Sequence, residues 1–393
     1  MATTLKSAFG RETISRLAGM ISAVHPAFDG AAFVADALRG LGAKELLARG
    51  DHVAAALRRH LPQELPAALD VLVRSLGPEL GEGGLEGEGM APFLYLPHAA
   101  FIRVHAVEHY EAAMAANAAL TRRFTAEWSI RPFLERWPER TFARLAEWAR
   151  DPSVHLRRLV SEGSRPRLPW APRIRTLVLD PRPGLALLEL LKDDPAEYVR
   201  RSVANHLNDV SKDHPALAIE TCARWLEGAS PDRRRLVRHA LRSLVKAGHP
   251  AALALLGHGE PPLVAVRGAR VEPDRVRIGE AAVFRATLVS RAAAPQSLAV
   301  DLEVHFVKAN GAARPKVFKG RVLALAPGER VELSKRISLA VHSTRTPNPG
   351  GHAIDLLVNG VRFPGARFEV VRGTPRTPVA VRRGRGPVSR RPR

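Results

Sequence analysis

Cysteine occurs once in the 393 residues, at Cys222, so neither an internal disulfide nor a cysteine-rich zinc site can be built. Its neighbours Ala218, Ile219 and Ala223 are helix-compatible and apolar, which marks it as a small core residue and not a nucleophile. Long apolar runs are also missing. Nothing reaches the 18 residues of a membrane-spanning helix, and the first 30 residues contain no apolar stretch ending in a small-residue cleavage site. A soluble, unexported chain of the cytoplasm is the expectation. Negative charge is scarce as well: 39 acidic residues face 60 basic ones, for a formal charge of +21 and a pI of about 11.2. With 46% hydrophobic residues the chain has enough apolar material to fold, so its charge is carried by an ordered protein whose partner is a polyanion. Lysine is rare too, with arginine supplying most of the cations, which suits bidentate contact with phosphate.

The charge is unevenly placed. Residues 1–120 hold 10 basic and 13 acidic side chains, whereas residues 121–258 hold 25 and 16, residues 259–373 hold 18 and 10, and the last twenty hold 7 and none. The first third is therefore excluded as the main polyanion-binding surface. Up to about residue 258 apolar residues recur at helical spacing, punctuated by proline or glycine every 10 to 20 residues. Within this region residues 151–160 and 194–203 share the pattern Asp-Pro followed by Val-Arg-Arg or Leu-Arg-Arg, and residues 231–240 repeat it more loosely. Aligning Leu156, Val199 and Val237 gives offsets of 43 and 38 residues, the period of paired-helix repeats of the HEAT type. Asp-Pro is expected to cap and start the second helix of each unit, and the arginines Arg157, Arg158, Arg200 and Arg201, with Arg238 and Arg242 further on, are expected to line one face as a basic stripe.

Beyond residue 262 the period changes to two. Alternating runs at 282–289, 298–306, 331–337 and 353–358 are separated by turn signals at Asn310-Gly311, Pro327-Gly328 and Asn359-Gly360, which predicts a small antiparallel β-sandwich over residues 263–372. The arginine-rich stretch 373–393 lacks bulky apolar residues and is expected to be a disordered basic tail. The predicted fold class is thus multidomain α plus β: a HEAT-like α-solenoid over residues 1–258 followed by an immunoglobulin-like β-sandwich.

Three carboxylates stand out because each lies among arginines. Glu127 follows Arg122 and Arg123, Glu162 precedes a loop holding Arg165, Arg167 and Trp170, and Asp209 follows Asn205, His206 and Asn208. An acid on a phosphate-binding surface costs affinity, so it either pairs with an arginine for structure or faces a positive charge that develops during reaction. Cleavage of a glycosidic bond passes through an oxocarbenium-like state that carboxylates stabilise. Trp170, in a loop between prolines, can stack on a base or a sugar or fill the core. Trp137, Trp148 and Trp225 have the spacing of helix-packing residues.

The segments carrying these acids resemble the bacterial DNA alkylation-repair glycosylases of the AlkC class, relatives of AlkD. The match runs through Phe124-Thr-Ala-Glu127 with Ile130-Arg-Pro132, then residues 158–171, then residues 198–215, in that order and spacing. It extends over the helical region, and the appended sandwich resembles the immunoglobulin-like domain of one subgroup. The resemblance implies a DNA-3-methyladenine glycosylase that removes cationic alkylated bases, with 3-methylcytosine or 1-methyladenine as further substrates. It also implies excision from double-stranded DNA by a monomer, without flipping the base and without metal or other cofactor. It assigns Glu127, Glu162 and Asp209 to catalysis, Trp170 to lesion contact and Arg158, Arg165 and Arg201 to flanking phosphates, with Asn205 and His206 as supporting or backbone contacts; Trp128 is a second candidate for lesion contact, and Arg157, Arg167, Arg200, Lys212, Arg238 and Arg242 are the further DNA-binding candidates of the basic region. A non-catalytic helical-repeat scaffold that binds nucleic acid through the same arginines is the alternative. His105-Ala-Val-Glu-His109 matches the short H-x-x-E-H zinc-protease pattern, but no third ligand follows on a later helix, and no metal is expected.

Overall fold

A computed structural model describes residues 6, 9–81, 89, 91–341 and 346–372. The expected basic tail lies outside the described residues. The chain divides into two compact units, residues 1–244 and 245–393.

The first unit is built from short helices. Six precede the carboxylate region: α1 (Arg11–Val24), α2 (Gly30–Leu38), α3 (Leu46–His60), α4 (Leu65–Arg74), α5 (Leu96–His105) and α6 (Tyr110–Thr121). The repeats follow as α7 (Arg131–Arg136), α8 (Pro138–Trp148), α9 (Val154–Gly163), α10 (Arg175–Leu179), α11 (Arg182–Leu191), α12 (Glu197–Val210), α13 (Pro215–Leu226) and α14 (Pro231–Ala240). Helices α9, α12 and α14 pack in succession as one row, and α8, α11 and α13 pack against them as their paired first helices. Each helix is short because proline sits in its first turn or glycine or an Asx turn ends the preceding one, so stability comes from apolar faces and not from helix length. Helix α12 shows the rule, burying Val199, Val203, Leu207 and Val210 along one side. Each such burial is worth roughly 1.5–3 kcal/mol.

The Asp-Pro motif works differently from the cap the sequence suggested. Asp151 and Asp194 lie two residues before the N-caps Ser153 and Ala196. Their carboxylates accept the N–H groups of Ser153 and Ala196 at 2.7 and 2.9 Å, closing an Asx turn that leads into the helix. Only in the third repeat does a side chain cap the helix, Ser230 accepting from Arg233 N at 3.2 Å with Pro231 in the first turn. The predicted helix-packing tryptophans do pack between helices: Trp225 is fully buried and donates to Glu189 at 2.7 Å, and Trp137 donates to the Val107 carbonyl at 3.0 Å. Cys222 is buried, which pushes its thiol up to about 12.

The second unit takes in the short helices α15 (Arg242–Lys246, which straddles the division) and α16 (Pro250–Leu255), and then eight strands. These are β1 (Val264–Glu272), β2 (Arg275–Arg277), β3 (Ala281–Ser290), β4 (Gln296–Val307), β5 (Ala313–Leu325), β6 (Arg330–Ser338), β7 (Gly350–Val358) and β8 (Val361–Val371). They form two sheets in the orders β1-β3-β6 and β2-β8-β7-β4-β5, around a core that includes Phe284, Leu288, Val304, Leu356 and Phe368. Alternation is cleanest in β3 and β7, where every second residue is buried, and those are runs the period-two pattern picked out. Asn359 and Gly360 both take positive φ in the turn from β7 to β8, as a tight hairpin requires. One pair departs from the expected antiparallel pattern: β2 runs parallel to β8, because it is joined to β1 in the opposite sheet and reaches β8 by changing sheets.

Candidate active site

Two arginines and three carboxylates meet where α9, α12 and the turn before α7 come together. Glu127 sits in that turn, Glu162 on the last turn of α9 and Asp209 near the end of α12. A close approach brings the turn onto α9: a Cβ on Gly163 would stand 2.6 Å from the Ile130 side chain, so only glycine lets the two backbones meet here. The turn is stiffened by Ser129, whose hydroxyl donates to Asn117 at 2.5 Å, and by Thr125, whose hydroxyl donates to Glu127 Oε2 at 3.1 Å.

Arg165 bridges two of the acids, its Nη1 donating to Glu162 Oε1 at 2.6 Å and its Nε to Asp209 Oδ2 at 2.8 Å. The other oxygen of Glu162 accepts from Ser202 at 2.6 Å, and Ser202 itself accepts from Ser161 at 2.7 Å. Asp209 Oδ1 accepts from Lys212 at 2.7 Å. Arg158 lies between Glu127 and Glu162, 3.6 Å from Glu127 Oε2 and 3.9 Å from Glu162 Oε1, with its guanidinium 4.9 Å from the centre of the Tyr198 ring. Both oxygens of Glu162 and of Asp209 are thus held. Glu127 Oε1 receives no hydrogen bond among the described residues.

Their electrostatics differ accordingly. Burial pushes Glu127 up, and the charge of Glu162 adds to it, so that Arg158 does not bring its carboxyl back to the ordinary range. Burial also works against ionisation of Glu162, but Arg158 and Arg165, with the hydroxyl of Ser202, outweigh it and hold that carboxyl below the usual range. The site therefore holds one firmly ionised glutamate beside one that gives up its charge more readily.

The remaining expected site residues fall into three groups. Trp128 and Trp170 both line a cavity of about 360 Å³, together with Leu96, Ala99, Arg131 and Ile174; none of the three carboxylates lines it. Trp170 is 66% exposed, and its φ of +65° is one a non-glycine residue adopts at a cost of roughly 1–2 kcal/mol. Arg201, Arg238 and Lys212 reach the surface, Arg201 with only an i,i+4 pairing to Glu197. Asn205 accepts from Arg242 at 3.0 Å, and this bond and the Arg242 bond to the His239 carbonyl tie α12 to the end of α14.

The third group is turned inward, which corrects the idea of a continuous phosphate-facing stripe. Arg157 binds the Asp194 carboxylate of the next repeat at 2.6 Å, and Arg200 reaches Asp232 of the repeat after at 3.0 Å. Each also donates to the two carbonyls of its own Asp-Pro turn. The first arginine of each pair is a rung joining consecutive repeats, because a side chain leaving the first helical turn points back toward the preceding loop. Arg165 is buried between its two acids, and Arg167 is paired with Asp213 at 2.6 Å. His206 is 1% exposed and cannot reach a partner molecule; its Nδ1 lies 3.0 Å from the Ser161 carbonyl, and burial lowers its pKa to about 4.

The H-x-x-E-H segment is dispersed into other contacts, Glu108 bonding Arg136 at 2.9 Å and His105 lying against Phe101. Among the described residues, metal-ligand reach is found instead at Glu303, His305 and Asp355 of the sandwich, which sequence reading did not pick out. That group is filled by Arg362, whose Nε donates to Glu303 at 2.8 Å. Their adjacency arises from cross-strand register, Glu303 standing opposite Asp355, and carries no signal along the chain. Ser161, Ser202 and Arg131 are the site residues sequence reading missed.

Stacked helix pairs joined by arginine–aspartate rungs, with buried acids at one end of the row and a β-sandwich appended, define a HEAT-like helical-repeat protein with an immunoglobulin-like domain. Residues 265–372 match the family described as the YhaZ C-terminal immunoglobulin-like domain. The uncharacterized protein YhaZ of Bacillus subtilis (strain 168) is 33% identical over 371 residues, covering 93% of this chain and 99% of the relative. The solved structure of Pseudomonas fluorescens alkylpurine DNA glycosylase AlkC, bound to DNA containing an abasic site analog, is 35% identical. It aligns with 94% of this chain and 100% of its own length at a TM-score of 0.87. The chain belongs to the AlkC family, in the class that carries a C-terminal immunoglobulin-like domain.

Proposed function

We propose that this protein is a monofunctional DNA glycosylase that hydrolyses the N-glycosidic bond of cationic alkylated bases, chiefly 3-methyladenine, in duplex DNA. The observation that carries the reading is the meeting of Glu127, Glu162 and Asp209 around Arg158 and Arg165, in a chain alike over nearly its whole length to a glycosylase solved on DNA. An alkylated base already bears a positive charge. When the C1′–N bond breaks, its electron pair neutralises the departing base, so no general acid is needed and the charge passes to the sugar. Glu162 and Asp209, fixed by Arg165, face that cation. Glu127, with an oxygen left over and its ionised form disfavoured by burial, takes the proton of the attacking water.

Trp170, exposed on its loop, stands against the lesion nucleotide, with Trp128 beside it. Arg158, Arg201, Lys212 and Arg238 contact flanking phosphates, and the base is not turned into a pocket. No cofactor takes part, and the protein acts as a monomer in the cytoplasm on the nucleoid. The test is release of 3-methyladenine from methylated duplex DNA in the presence of chelator. Wild type is expected to release it, and Glu162→Gln and Asp209→Asn to lose on the order of 100-fold or more in single-turnover rate. Release at the wild-type rate by both variants, or salt-sensitive binding with no release by the wild type, would overturn the proposal in favour of a binding scaffold.

A further inference from the structure

Trp170 protrudes into solvent from an irregular loop and holds a backbone conformation that the loop alone has little reason to keep. Within the loop only two backbone hydrogen bonds contribute, Ala171 N to Leu168 O at 3.3 Å and Ile174 N to Pro166 O at 3.2 Å. The rest of the restraint comes from a residue far back in sequence. Arg131, buried in the first turn of α7, donates from Nη1 to the carbonyls of Arg165 and Gly163 at 2.8 and 3.2 Å, and from Nη2 to the carbonyl of Pro172 at 2.6 Å. One guanidinium therefore ties the chain entering the loop to the chain leaving it, on either side of Trp170. No carboxylate forms an ion pair with Arg131 among the described residues, so its hydrogen bonds go to the loop backbone, an unusual use of a buried cation. A planar fork with five donors can span three carbonyls that a lysine ammonium cannot.

We infer that Arg131 is the positioning residue for Trp170: its guanidinium closes the loop of residues 163–174 and sets the indole at the reaction site before DNA arrives. The inference rests on the glycosylase reading for what Trp170 does, and on geometry alone for the clip. Arg165 does not need Arg131 to keep its side chain in place, since Glu162 and Asp209 hold it independently. The effect of losing Arg131 thus falls on the Trp170 side of the loop.

Two measurements on the full chain test this. The first reads the loop without any activity: limited trypsin digestion, followed by mass analysis of cleavage after Arg167 and Arg173. In Arg131→Met those cuts are expected to accelerate about tenfold or more over wild type while the melting transition remains cooperative. The second is a double-mutant cycle on single-turnover base release with Arg131→Met, Trp170→Ala and the pair. Arg131→Met is expected to slow release about as much as Trp170→Ala, and the pair to fall within about twofold of Trp170→Ala alone. Arg131→Lys restores part of the rate, and it replaces Arg131→Met in both measurements if that variant does not fold. Wild-type cleavage rates in the loop, or multiplicative losses in the pair, would overturn the inference. If wild type releases no base at all, the glycosylase reading fails, while the trypsin pattern still decides whether Arg131 closes the loop.

Discussion

Two clusters in this basic protein gather acids around arginine, one in the helical unit and one in the sandwich, and they differ in how far water reaches the arginine. In the sandwich, Glu303 and Asp355 share His305 and Arg362, and the second oxygen of Asp355 accepts the N–H of Gly365 at a strand irregularity. Glu303 is as buried as Glu162, each side chain 8% exposed, but Arg362 is 56% exposed, so water screens the charge that faces the sandwich acids. In the helical unit Arg165 is only 9% exposed between Glu162 and Asp209, whose oxygens are all held by donors, and burial pushes the Glu127 carboxyl above the ordinary range. A cluster whose arginine lies open to water is structural. A cluster whose arginines are enclosed, beside an acid that burial holds against its charge, is where chemistry is to be sought.

Breaking each cluster at its arginine should separate them most strongly. Arg165→Met removes the buried bridge between two carboxylates, leaving Glu162 with Arg158 at 3.9 Å and Asp209 with the part-exposed Lys212, and is expected to cost about 3–5 kcal/mol of stability in urea unfolding. Arg362→Met should cost about 1 kcal/mol or less. Equal losses would mean the two clusters are of one kind.

At the level of chemistry the contrast should run through the acids. Glu162→Gln and Asp209→Asn are expected to slow base release on the order of 100-fold or more, whereas Glu303→Gln should leave the single-turnover rate within about twofold. A comparable loss in Glu303→Gln would erase the distinction.

Acidity sharpens it further. Because the Glu127 carboxyl titrates above the ordinary carboxylate range, the acid limb of the rate profile should lie above that range and vanish from its place in Glu127→Gln. The two glutamates contribute to stability with opposite sign. Glu162, whose folded pKa is depressed, adds stability above its unfolded pKa that is lost as pH falls through the folded value. Glu127, whose folded pKa is raised, gains stability as pH falls through it. Unfolding measured from neutral to acid pH should therefore show Glu127→Gln gaining most at neutral pH and Glu162→Gln losing most there.

The smallest effect is expected at the surface. Arg201→Ala should change stability by less than about 0.5 kcal/mol while lowering the salt slope of DNA binding by about one, and Arg200→Ala, one residue away, should do the reverse. A salt slope that falls with Arg200 and not with Arg201 would exchange their roles.

Much of this was legible in the residues. The change of period near residue 260 marked the passage from helices to strands, and the repeat of Arg-Arg after Asp-Pro marked the stacking of α9, α12 and α14, because each period is a local consequence of backbone geometry. The three acids were legible as exceptions within a basic segment. What was not legible was the fate of each arginine. Arg157 and Arg158 are adjacent in sequence, yet a 100° turn of helix sends one to a rung with Asp194 and the other between two glutamates. The inward His206, the hydroxyl pair Ser161 and Ser202 and the Arg131 clip likewise depend on partners 32 to 45 residues away.

By itself, then, the sequence determined the kinds of element, their repeat, the sign of the charge and which acids were out of place, since these follow from spacing and composition. Only the tertiary structure decided which carboxylate burial holds against its charge. That depends on how many donors arrive from other helices and on how much water the packing removes, and neither quantity is written along the chain.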